Sequence, residues 1–87
     1  MRMTNKIAKI RKLKEIKAFF DEKIAEEEDQ IMSAKLDYQF NLYLKPTPLM
    51  KRVYALCYRD SYRTSRKIIE HWQERYLQEK KRVLTDN

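Results

Sequence analysis

Lys45-Pro46-Thr47-Pro48 is the stretch that decides the fold. A proline disfavours helical dihedrals in the residue before it, so Pro46 expels Lys45 from any helix arriving from the N-terminal side. Thr47 then stands as an N-cap, its hydroxyl placed to accept from a free amide of the next turn. Pro48 suits the first helical position, where a missing N–H costs nothing. These four residues predict a helix over 5–43, a linker over 44–47 and a second helix over 48–83.

On the N-terminal side, residues 5–32 are rich in Lys, Glu, Ile and Ala, without Pro or Gly. Thr4 is the candidate N-cap. Ile10, Leu13, Ile16, Phe20, Ile24 and Ile31 fall in an arc of about 120° at 3.6 residues per turn, a one-sided apolar stripe. Ile7 lies further round and Phe19 faces away. Glu27 points into the stripe, which favours a hairpin or small bundle over a long, regular coiled coil. Residues 36–44, Leu-Asp-Tyr-Gln-Phe-Asn-Leu-Tyr-Leu, carry two periods at once. Alternation puts Leu36, Tyr38, Phe40, Leu42 and Leu44 on one face of a short strand. Helical spacing puts Met32, Leu36, Phe40 and Tyr43 together. A lone strand finds no partner within such a chain, so the helix is preferred.

On the C-terminal side no breaker interrupts 48–83, and Thr85-Asp86-Asn87 reads as a frayed end. Met50, Val53, Tyr54, Cys57, Ile68, Trp72, Tyr76 and Val83 share one broad face, with Ser61, Thr64 and Ser65 in its middle. Opposite them Arg52, Arg59, Arg63 and Arg66 lie within an arc of about 60°, flanked by Tyr62. The guanidinium fork matches phosphate and carboxylate and stacks on flat rings, so this arginine stripe is the candidate partner- or phosphate-binding site. Arg66 and Glu70, at i and i+4, offer the competing reading of a solvated face held by local pairs. Lys6, Lys9, Arg11, Lys12 and Lys14 surround the first helix and form a second, less directional basic arm.

Charge is blocked along the chain. Of 20 Lys and Arg against 13 Asp and Glu, a net of +7, residues 1–19 hold +6, residues 20–30 hold −5 and residues 50–69 hold +5. Antiparallel pairing of the helices would set the acidic block near the second basic block. Composition also excludes. Without glycine there is no Gly-rich phosphate loop and little provision for tight hairpin turns, which leaves an all-α fold. One cysteine, Cys57, and one histidine, His71, supply no intrachain disulfide, no metal-ligand set and no cofactor site. Fourteen residues apart on one helix, they stand about 21 Å from each other, too far to react together. Cys57 reads as a small core residue and His71 as an exposed one. Acids lie on charge-rich helical surfaces, so no catalytic constellation is expected and the chain is read as a non-enzyme. No apolar run approaches a membrane span or a secretory h-region, and the lone cysteine fits an intracellular, reducing compartment. Ten aromatic residues in so polar a chain exceed what one two-helix seam can hide, which predicts exposed apolar surface and association.

Tyr58-Arg59, with Arg63 four residues on, resembles the motif of the LYR family of small helical mitochondrial proteins. That resemblance implies an accessory role in respiratory complexes and docking on acyl carrier protein through Arg59. It covers about a dozen residues. Cys57 stands where the family has leucine, and too little chain follows for a three-helix fold, so membership is not assigned. The outline of two helices and an arginine-rich second helix is also similar to small two-helix ribosomal proteins, a likeness of architecture alone. The expectation from the residues is therefore a basic helical adaptor or accessory subunit. It would dock on a larger protein assembly or a second copy of itself, with nucleic acid as the alternative partner.

Overall fold

The computed structural model describes residues 2–85, with side chains from Asn5 to Thr85. Two helices account for it: α1 over Arg2–Tyr43 and α2 over Pro48–Thr85. They run antiparallel as a hairpin about 69 Å long and 17 Å wide. The predicted linker is correct. Pro46 does displace Lys45, which takes a left-handed conformation at φ 53°. Its N–H donates to the Leu42 carbonyl at 3.1 Å and closes the last turn of α1. A non-glycine residue in this region stores on the order of 1 kcal/mol of strain, tolerated because Pro46 closes the helical alternative. Thr47 caps α2 as predicted: the Met50 amide donates to its Oγ1 at 3.3 Å and the Lys51 amide to its carbonyl at 2.9 Å. Thr47→Ala is expected to lower stability by about 1 kcal/mol, read as a shift in the urea midpoint at unchanged slope.

Several boundaries move. α1 begins at Arg2, so the backbone of Thr4 lies inside the helix and Thr4 is no N-cap. α2 runs two residues beyond 83, where the Thr85 hydroxyl donates to the carbonyls of Lys81 and Arg82 at 2.9 and 3.3 Å. The rest of the expected frayed end, Asp86 and Asn87, lies outside the described residues. The strand over 36–44 does not form, because α1 continues to Tyr43 and the described residues contain no strand. Tertiary packing decides between the two periods. The helix turns Tyr38, Asn41 and Leu42 toward α2, where Tyr38 stacks on Tyr58 with centroids 5.4 Å apart at 22°.

The seam is a ladder of heptad-like steps. From α1 it takes Leu13, Ile16, Phe20, Ile24, Glu27, Ile31, Ala34 and Tyr38; from α2 it takes Tyr54, Tyr58, Ser65, Ile69, Trp72, Tyr76 and Val83. Its densest part is aromatic. Phe20 meets Trp72 at 6.0 Å and Tyr76 at 5.8 Å, while Phe19 leans its edge on Phe20 at 5.1 Å and on Trp72 at 6.3 Å. Lys23, Arg75 and Lys80 lie over Phe19, Trp72 and Tyr76 at 5.7, 5.9 and 6.0 Å, so cationic stems roof the cluster.

Relative to the predicted faces, the seam is turned. Ile69, 2 % exposed, is the most buried side chain, and it was not placed on the apolar face. Met50, Val53 and Cys57, which were, are exposed, as is Ile10 on α1. Cys57 is thus a surface thiol and no core residue. His71 is exposed and lies edge-on to Trp72 at 5.4 Å. No ion pair crosses between the helices among the described residues. The three present lie within single helices: Lys17–Asp21 at 2.6 Å, Arg59–Asp60 at 3.8 Å and Arg82–Glu79 at 2.7 Å. The blocked charges therefore do not close the hairpin through salt bridges. Shape and apolar burial close it instead. The Asp21 carboxylate, by its hydrogen bond and its charge, raises the pKa of the exposed Lys17 ammonium above the ordinary value of 10.5. That stabilisation is fully present below pH 10.5 and lost only as pH climbs through the raised value, far above neutrality.

Candidate anion-docking face

Arg52, Arg59, Arg63 and Arg66 all project from α2 into solvent, on the side turned away from the seam. From Arg52 to Arg66 the stripe runs about 21 Å at 1.5 Å per residue. The local-pair reading is not realised, since among the described residues Arg66 makes no bridge to Glu70 and neither Arg52 nor Arg63 is bridged. Of the four, Arg59 alone meets an acid among the described residues, the adjacent Asp60, at a loose 3.8 Å with both side chains more than half exposed. Such a contact in water is worth little, and its guanidinium stays open to an external anion.

Tyr62 stands at the edge of the stripe and is partly held there. Its ring lies 6.3 Å from Tyr58, which in turn stacks on Tyr38 of α1. This three-tyrosine ladder leads from the seam to the arginines and fixes the azimuth of the stripe on the hairpin. Sequence reasoning missed Tyr58 as a seam residue because the apolar wheel was centred too far toward Val53 and Cys57. The seven-residue spacing of Tyr58, Ser65 and Trp72 is the signal that finds it.

The basic arm lies elsewhere. Lys6, Arg11, Lys12 and Lys14 are exposed and Lys9 is half-buried, near the open end of the hairpin. The arginine stripe sits at the linker end, so arm and stripe are roughly 35–40 Å apart along the rod at 1.5 Å per residue and form no common site. Lys9 and Lys12 instead share a shallow cleft of about 1010 Å³ with Asn5, Ala8, Arg82 and Val83. Arg82 was not singled out in the sequence, and it is engaged with Glu79. A second groove, of about 640 Å³, runs beside the seam between Glu27, Asp37 and Asp60, with Ser33, Ser61, Thr64 and Ser65 on its walls. No Lys or Arg lines it, so it is acidic where the far side of α2 is basic.

Among the described residues no group of three or more His, Cys, Asp or Glu is placed to hold a metal ion, and no helix is long and apolar enough to cross a membrane. Compared with protein-family models, curated proteins and solved structures, the chain matches none of them.

Proposed function

We propose that this chain is a non-catalytic helical docking module, an adaptor or accessory subunit. It presents the Arg52–Arg59–Arg63–Arg66 face to an acidic surface of a larger protein assembly. The single observation that carries this reading is the open state of the stripe: four guanidiniums in one arc, exposed, with one loose bridge among them. A solvated stabilising face would have tied them to Glu70 and its neighbours. Arginine's bidentate geometry suits carboxylates held by a partner. The rigid helix beneath keeps the forks in register, which lowers the ordering cost of binding.

Nucleic acid is the second reading, favoured by one observation. Tyr62 lies at the stripe's edge, half-exposed and backed by Tyr58, where a base could stack beside the phosphate contacts. Fluorescence anisotropy with labelled duplex DNA and duplex RNA, at low and at physiological salt, separates the two. A phosphate-binding stripe gives binding that falls steeply with salt. Arg59→Ala and Arg63→Ala would then each reduce the log–log salt slope on B-DNA by about 0.9. A protein-docking stripe leaves both duplexes weakly bound even at low salt, and a pull-down then loses its partner specifically in Arg59→Glu/Arg63→Glu. Retention of every partner by that double variant would end both readings.

A further inference from the structure

α1 carries a second apolar stripe that α2 does not cover. Met32, Leu36, Phe40 and Tyr43 follow one another at steps of four, four and three residues, within an arc of about 80°. That arc is centred roughly 160° round the helix from the seam. All four side chains are between 54 % and 80 % exposed. Together they offer on the order of 500 Å² of side-chain surface, the scale of the largest apolar patch on a monomer and a large part of the roughly 800 Å² that each partner of a stable interface buries.

We infer that this stripe is the interface with a second copy of the chain, joined antiparallel about Leu36. Three features on the stripe point to a copy of itself. First, the stripe is self-complementary under a two-fold axis. With Leu36 on Leu36, the flexible Met32 falls opposite the flat Phe40, a thioether–aromatic pairing. Second, the same axis sets Tyr43 level with Asp29, whose wheel position is on the same outer face, so a buried phenol meets an acceptor rather than hydrocarbon. Third, the charges agree. Residues 26–29, Glu-Glu-Glu-Asp, come level with residues 43–46 of the other copy, so that Lys45, just past the end of α1, falls level with the seam residue Glu27 and between the exposed Glu26 and Glu28. Glu26, Glu28, Asp29 and Lys45 are all exposed, and among the described residues none of them is bridged within its own chain. A parallel arrangement would instead set the acidic block against itself.

This inference goes beyond the docking reading and does not rest on it, because the arginine stripe belongs to the other helix. Sedimentation velocity on the full chain from about 1 to 100 µM, a span bracketing weak to moderate self-association, tests it. The wild type is expected to pass from 10.8 kDa toward twice that mass. Leu36→Glu/Phe40→Glu is expected to weaken dimerisation by at least about 100-fold, since each interface then buries unpaired carboxylates. Its far-UV CD should match the wild type, because both side chains face away from α2. Lys45→Glu should weaken the dimer, and adding Glu26→Lys and Glu28→Lys should restore it. A wild type that stays at monomer mass throughout overturns the inference, as does a dimer indifferent to Leu36→Glu/Phe40→Glu. Failure to rescue Lys45→Glu overturns the antiparallel register. Anion binding through the arginines is read separately by anisotropy, so failure of one idea leaves the other standing.

Discussion

Phe20→Ala is expected to remove most of the hairpin's stability. Phe20 is 5 % exposed and is the point where α1 touches both Trp72 and Tyr76. Truncating a buried phenylalanine costs about 3–5 kcal/mol, the sum of lost transfer energy and the cavity left behind. Domains carry roughly 0.05–0.15 kcal/mol per residue, so for a chain of this length the loss is comparable with the whole stability at the low end of that range. Two packed helices cannot collapse onto the void from a third side. Trp72 and Tyr76 would keep their backs on α2 and lose the buried ring that both meet across the seam. Thermal melts followed by far-UV CD should fall by on the order of 20 °C, or show no cooperative transition at all. Phe19→Ala sets the scale. Phe19 is half-exposed and touches only the rim of the same cluster, so its loss should be markedly smaller. Equal losses for the two variants would mean that the packing centre lies elsewhere. A melting temperature that rises with protein concentration would add that the measured stability is partly that of the dimer.

The hairpin was legible because its joint is written in residues with fixed geometry. Pro46 and Pro48 restrict backbone dihedrals whatever surrounds them, and Thr47 caps with a short, local hydrogen bond. The seam was harder, for a physical reason. Reading a core from hydrophobicity assumes that apolar residues face the partner helix. Here Met50, Val53 and Cys57 on α2, and Ile10 on α1, are apolar and exposed. They pull the apparent face away from the true one, which passes through Ser65 and Glu27 and so looks polar. Ile69 was lost for that reason, and Tyr58 with it. Residues 36–44 were ambiguous because they serve two faces at once: Tyr38 and Leu42 turn toward α2, while Leu36 and Phe40 turn outward. Two interleaved helical stripes imitate the alternation of a strand. The arginine stripe was legible in full, since exposed charge at helical spacing needs no knowledge of packing. That its arginines stand apart from Glu70 depends on rotamers, which no pattern of residue types specifies.

Arg59→Glu/Arg63→Glu is expected to abolish anion docking while leaving the fold intact. Both side chains are exposed on the side of α2 away from the seam, so stability should move by no more than about 0.5 kcal/mol. The two changes remove two forks from the middle of the stripe and place two carboxylates there, converting attraction into repulsion at the contact. Loss of one charge-paired partner at an interface costs about 2–5 kcal/mol, so affinity should fall by at least 100-fold. The decisive comparison keeps net charge equal. Lys9→Glu/Lys12→Glu makes the same change of four units of charge at the far end of the rod, on the basic arm. If docking belongs to the stripe, this arm variant keeps most of its affinity and differs mainly in the salt dependence of its on-rate, because distant charge steers encounter more than it holds the complex. If the two double variants lose affinity equally, binding follows the overall positive charge and the stripe has no privileged role. Physiological ionic strength sharpens the contrast: with a Debye length near 8 Å, charges roughly 35 Å from a contact are screened, whereas guanidiniums within it are not.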